Sequence, residues 1–233
     1  MTDGTALQHL VTGLPEVFST APRPSRIDAC PCCASRAGLD RLLGAPRAQL
    51  TPEELGPYAA SVLNTVGSPA DLRYFAPRIL QLVLTGELAW PGVPLVCRKL
   101  AQAGWQDWPE APYLRRLLDA LWPDVLHDAR QCGDTEAVLS ALGAADPDGT
   151  GGRLAEWARL ASPVAVERLY EFALGGELEP RDALWDERGA AYRTFAAWLR
   201  GPELQLAVEA AFLRIDDPTQ LDQLITVHDI LAA

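Results

Sequence analysis

The chain has 233 residues, 48% apolar and 22% charged, which is enough to bury a sizeable core and too apolar for a disordered chain. Its net charge of -11 disfavours nucleic-acid binding by the main body, because an acidic surface repels phosphate backbones. No apolar run approaches the roughly 18 residues of a membrane helix. No basic region followed by an apolar block opens the chain, so the expected compartment is the cytoplasm, where its five cysteines stay reduced or hold metal.

The first predicted helix spans 5–14, and a polar, Pro-rich stretch follows from Ala21. That stretch carries Cys30-Pro31-Cys32-Cys33. Cys30 and Cys33 have C-x-x-C spacing, which lets two loop thiolates converge on one ion, as in half of a tetrahedral zinc site. Cys30, Cys32 and Cys33 are therefore the candidate metal ligands, and zinc is the candidate cofactor. The other half of such a site is missing locally; Cys97, Cys132, His9 and His127 would complete it only through the fold. Arg23, Arg26 and Arg36 nearby favour thiolates, which also fits a redox pair. Inert cysteines are the third reading, and sequence leaves all three open.

Beyond a predicted helix at 35–43, the starts are explicit. Thr51-Pro52-Glu53-Glu54 is a capping box with Pro at the first helical position, and Leu50 and Leu55 are placed as its hydrophobic staple. Ser68-Pro69-Ala70-Asp71, Ser162-Pro163 and Asp217-Pro218 repeat the pattern. Apolar residues recur at a 3.6-residue period behind them, as in Leu55, Tyr58, Ala59, Val62, Leu63 and Val66. The further predicted helices are 52–66, 69–84, 93–103, 111–131, 135–143, 153–161, 163–174, 182–200, 202–215 and 218–231. Pro77 is expected to kink its helix or end its regular bonding, and Pro123 to act similarly.

Breaks near Gly67, Gly104, Gly133, Ser162, Arg188 and Asp217 recur at about 30 residues, the spacing of stacked helical hairpins. The expected fold is all-α, an irregular HEAT-like stack of antiparallel hairpins with essentially no sheet, forming a single domain over 1–233. The Gly-rich connector 144–152 is the candidate subdomain boundary.

Several apparent motifs dissolve on inspection. Asp216-Asp217 lacks D-D-x-x-D spacing, and Asp217 is required as a cap. Asp146-Pro147-Asp148-Gly149 would place Trp157 where a calcium loop needs Glu. His228 falls on an apolar stripe and reads as a core histidine. The tryptophans read mainly as core, including Trp90, Trp108 and Trp122, which precede prolines.

Cys30-x-x-Cys33, Leu50-Thr51-Pro52-Glu53-Glu54-Leu55, Tyr58-Ala59, Asn64-Thr65-Val66-Gly67 and Asp71 to Leu80 together resemble a group of uncharacterised bacterial proteins. That group joins an N-terminal cysteine pair to a Y-A-x-x-A-L-x-T-W-G-x-x-x-D-x-x-x-F-L-P-R-I-L-E-L segment. The match covers roughly residues 28–84, with Val66 in place of the Trp and Gln81 in place of the Glu. The resemblance carries no activity, but it implies that the cysteines and the Asp71–Arg78 segment form one module. Asp71, Tyr74 and Arg78 then share one side of a helix and form a candidate binding group, weighed against a structural ion pair.

The expected function is a non-enzymatic helical scaffold that binds a protein partner, preferentially a basic one. The alternative is a zinc-binding or thiol-redox protein that works through the cysteine loop.

Overall fold

Pro-capped starts account for most of the architecture. The computed structural model describes residues 4–32, 35–127, 134–175, 178–183 and 185–232; Cys33, Cys132 and Gly133 lie outside them. Twelve α-helices occur among the described residues: α1 (Gly4–Val17), α2 (Arg36–Gly44), α3 (Pro52–Ser61), α4 (Pro69–Leu84), α5 (Val93–Gln102), α6 (Ala111–His127), α7 (Thr135–Ala145), α8 (Thr150–Trp157), α9 (Pro163–Leu174), α10 (Ala190–Arg200), α11 (Pro202–Phe212) and α12 (Pro218–Ala232). No strand forms among these residues, only isolated bridges joining Ala29 and Val62 to Val66. No helix is long and apolar enough to cross a membrane among the residues described.

The caps act as their sequences dictate. Glu54 N–H donates to Thr51 Oγ1 at 3.4 Å, and Thr51 N–H donates back to Glu54 Oε2 at 2.9 Å. Ser68 and Asp71 make the same reciprocal pair at the start of α4. Asp217 Oδ1 accepts from Gln220 N–H at 3.0 Å, which confirms it as a cap of α12. Pro77 lies inside α4, which continues to Leu84, and Pro77 itself is buried. Tertiary packing of its apolar face holds the helix despite the lost bond.

The chain divides into two compact units, Met1–Asp119 and Ala120–Ala233, with the division inside α6. The 144–152 connector is internal to the second unit, not a linker. Arg153 Nη1 and Nη2 donate to the Asp146 carbonyl (3.0 Å) and carboxylate (2.9 Å), Thr150 is fully buried, and the glycines run into α8.

In the first unit α1 packs against α4 rather than in a sequential hairpin. Arg47 secures that packing. Its guanidinium donates to the carbonyls of Phe18 (2.8 Å) and Tyr74 (3.1 Å) and lies 5.1 Å from the centre of the Tyr74 ring. Arg73 bridges α4 to buried Glu110 in a two-bond fork of 2.9 and 2.8 Å.

In the second unit α12 packs on α9, and an aromatic cluster fills the centre. Trp157 meets Trp122 edge-on at 5.7 Å and stacks on Trp198 at 5.8 Å. Trp122 Nε1–H is satisfied by the Arg153 carbonyl at 2.8 Å. The core reading of the tryptophans holds for 105, 108, 122, 157 and 198, whereas Trp90 is 68% exposed. His228 is not a core residue: its side chain is 37% exposed and its ring lies 6.2 Å from Phe212.

The predicted helix at 182–200 begins only at Ala190. The preceding segment is instead tied to the buried carboxylate of Glu136 on α7. Glu136 Oε1 accepts from the backbone N–H of Arg181, from Asp182 N–H (2.9 Å) and from Trp185 Nε1–H (2.9 Å).

Candidate functional site

The cysteine loop is positioned by the turn that ends α3. Cys30 N–H donates to the Thr65 carbonyl at 2.8 Å, and Gly67 N–H donates to the Asp28 carbonyl at 2.7 Å. These bonds hold residues 28–30 alongside 65–67 on both sides of the Ala29–Val66 bridge. The receiving turn carries two left-handed residues, Leu63 (φ 67°) and Gly67 (φ 66°). A Cβ at Gly67 would stand 3.2 Å from the Tyr58 hydroxyl and 3.4 Å from Asp71 Oδ2, so both backbone conformation and space select glycine.

Tyr58, Gly67 and Asp71 therefore meet at one point, which gives physical content to the spaced Tyr, Gly and Asp of the sequence segment. Tyr58 is held edge-on by Phe75 at 4.9 Å. Its hydroxyl is buried with no hydrogen-bond partner. Burial first, and the neighbouring Asp71 charge second, push the phenol well above its usual range, so it stays protonated.

Beside this point a cleft of about 330 Å3 opens between α2 and α3. Leu39, Leu42, Pro57 and Val66 supply its apolar lining, with Tyr58 among them. Arg41, Glu53 and Glu54 also line it. Arg41 Nε pairs with Glu54 at 2.5 Å, while Glu53 is exposed. The Glu54 carboxyl is held below its usual range by the Thr51 N–H first and by Arg41 second. Sequence singled out Tyr58, Glu53 and Glu54 through the cap and the resemblance, but not Leu39, Arg41 or Leu42, because nothing in a short helical stripe tells a lining face from a core face.

The structure brings Cys30 and Cys32 together, with sulfurs 2.9 Å apart; Cys32 is exposed and Cys30 half-buried. The predicted Cys30–Cys33 pairing lies outside the described residues. Among those residues no group of three His, Cys, Asp or Glu side chains is arranged to hold a metal ion. Arg23 donates to the Ala45 carbonyl (2.9 Å), and Arg26 pairs with Asp28 (2.7 Å).

Asp71, Tyr74 and Arg78 share the α4 segment but not a task. Asp71 Oδ2 accepts from Ser68 N–H (2.7 Å) and Oγ–H (2.8 Å). Tyr74 lies beneath Arg47, and Arg78 Nε donates to the Leu50 carbonyl at 3.1 Å rather than pairing with Asp71 or Tyr74. Each secures the frame behind the cleft.

The second unit contains a cavity of about 560 Å3, lined by Asp134, Glu136, Arg168, Glu171, Arg181 and neighbours. Its charges serve one another, Arg168 with Glu171 at 3.2 Å and Arg181 with Glu136 at 3.9 Å. The Arg181–Glu136 pair ties the segment before α10 to α7, whereas Arg168 and Glu171 pair within α9.

No family model matches the chain, and no curated protein and no solved structure is matched by it.

Proposed function

We propose that this chain is a non-enzymatic helical binding protein that takes a segment of a partner protein into the cleft between α2 and α3. The observation that carries the reading is the cleft itself, an apolar lining with a mixed polar edge, held in shape by the Tyr58–Gly67–Asp71 contact. Its volume of about 330 Å3 suits one or two bulky apolar side chains. Exposed Glu53 and the net charge of -11 favour a segment that also carries Lys or Arg. We place the protein in the bacterial cytoplasm and read its helices as an irregular, HEAT-like stack of hairpins, on the strength of the breaks recurring near 30 residues. Selection from a displayed peptide library tests the binding reading. Recovered peptides should pair an apolar residue with a nearby basic one, and Leu39→Arg should weaken them about tenfold or more. Failure to recover peptides, or recovery of peptides indifferent to Leu39→Arg, rejects the reading.

The paired sulfurs favour a second reading, a metal- or thiol-dependent protein working through Cys30 and Cys32. About one zinc per chain on untagged protein, lost in a Cys30→Ser/Cys32→Ser variant, would establish the metal form.

A further inference from the structure

We propose that Cys30 and Cys32 form a dithiol–disulfide couple that exchanges with low-molecular-weight disulfides. This rests on the thiol-dependent reading of the loop and is independent of peptide docking.

Four observations support it. The sulfurs stand 2.9 Å apart, within hydrogen-bond reach, so one thiol needs little movement to meet the other. The backbone of Cys30 is fixed by the Thr65 carbonyl, and the adjoining Asp28 carbonyl by the Gly67 N–H. Pro31, between the two cysteines, restricts the chain that separates them. Much of the ordering needed to bring the thiols together is thus already present in the fold. Lastly, exposure is unequal: Cys32 is open to solvent and Cys30 half-buried, which assigns their order of action.

Cys32, as its thiolate, attacks one sulfur of a small disulfide. The small molecule's S–S bond breaks, a mixed disulfide forms on Cys32, and a small thiolate leaves and takes up a proton. The Cys30 thiolate then attacks the Cys32 sulfur. The Cys30–Cys32 bond forms, and the second small thiol departs with the second proton. The protein loses two electrons and two protons, and the small disulfide becomes two thiols. A bridge across one intervening residue is tightly constrained, so an excess of small thiol reverses the reaction.

The test is peptide mapping after reduced protein is incubated with glutathione disulfide at about pH 8, where thiolate forms, then acid-quenched and alkylated. A Cys30–Cys32 linkage is expected in the wild type and in Cys33→Ser, reversed by excess glutathione. Cys30→Ser should stop at a glutathione mixed disulfide on Cys32, with its melting transition checked to show that it folds. A linkage through Cys33 instead, or a wild type that stays fully reduced, overturns the proposal. Zinc is measured on the same samples. Stoichiometric zinc that blocks exchange until chelated overturns the exchange proposal while leaving the metal form of the reading standing; an inert, zinc-free loop rejects both.

Discussion

Replacing Gly67 with alanine probes the joint on which the cleft rests. Gly67 has φ 66°, where an alanine costs about 1–2 kcal/mol in backbone strain. The new Cβ would also stand 3.2 and 3.3 Å from the Tyr58 hydroxyl oxygen and Cε2. Tyr58 is 3% exposed and wedged against Phe75, so it has little room to retreat, which adds about 1 kcal/mol of overpacking. The lower chain entropy of unfolded alanine returns about 0.5–1 kcal/mol. The expected net loss is about 2 kcal/mol, read from urea unfolding followed by fluorescence and circular dichroism. Tyr58→Phe alone should be neutral or stabilising, because the hydroxyl it removes is buried without a partner. Combined with Gly67→Ala it should recover part of the loss, since it removes the nearest contact atom. A Gly67→Ala cost below about 0.5 kcal/mol, or a Tyr58→Phe cost above about 1 kcal/mol, would refute this packing.

Three further outcomes follow from the first unit. Glu110→Ala should destabilise by about 1–3 kcal/mol, because Arg73 loses its partner but keeps partial access to water, while Arg73→Met/Glu110→Leu together should cost less, as measured by denaturant midpoints. Glu54 has a lowered folded pKa, so its contribution is present above the unfolded carboxylate range near ~4.3 and is lost as pH falls through the lower folded value. The stability gap between wild type and Glu54→Gln should therefore close on acidification; a gap constant with pH contradicts the assignment. Lys99, 3% exposed, has a pKa lowered by burial first and by Arg98 second. A lowered lysine pKa means that the unfolded chain binds more protons, so stability rises with pH toward the unfolded value near ~10.4. Lys99→Met should abolish that slope and raise stability by about 1 kcal/mol at neutral pH, measured by thermal melts across pH.

The helices were legible because the signals that start them are local. Thr51, Ser68, Ser162 and Asp217 each satisfy an amide only three residues away, within reach of any reading of the chain. What escaped depends on distant partners. Nothing near Arg181 or Trp185 announces that both will bind Glu136, some 45 residues earlier, so the segment before α10 reads as helix when it is a tethered loop. The glycines at 149, 151 and 152 read as a linker because Arg153 closing on Asp146 is not visible as a pattern. Pro77 is carried inside α4 because burial of its neighbours outweighs one missing bond. Within the site, sequence located the cysteine loop and Tyr58 but not which sulfurs meet, nor that Leu39 and Leu42 turn toward a cleft. It left Asp71, Tyr74 and Arg78 open between a binding group and a structural ion pair; in the fold they make a cap, a ring beneath Arg47 and a bond to the Leu50 carbonyl.

If a partner binds in the α2–α3 cleft, titration of one library-selected peptide against three proteins will show it. Wild type, Leu39→Arg in the cleft, and Leu206→Glu at an exposed position of α11 would be compared by calorimetry, with melting curves confirming that each is folded. Leu39→Arg should lose at least about tenfold in affinity, and Leu206→Glu should lose none. Affinity that survives Leu39→Arg and falls with Leu206→Glu would contradict binding in the cleft and move the binding surface to the second unit.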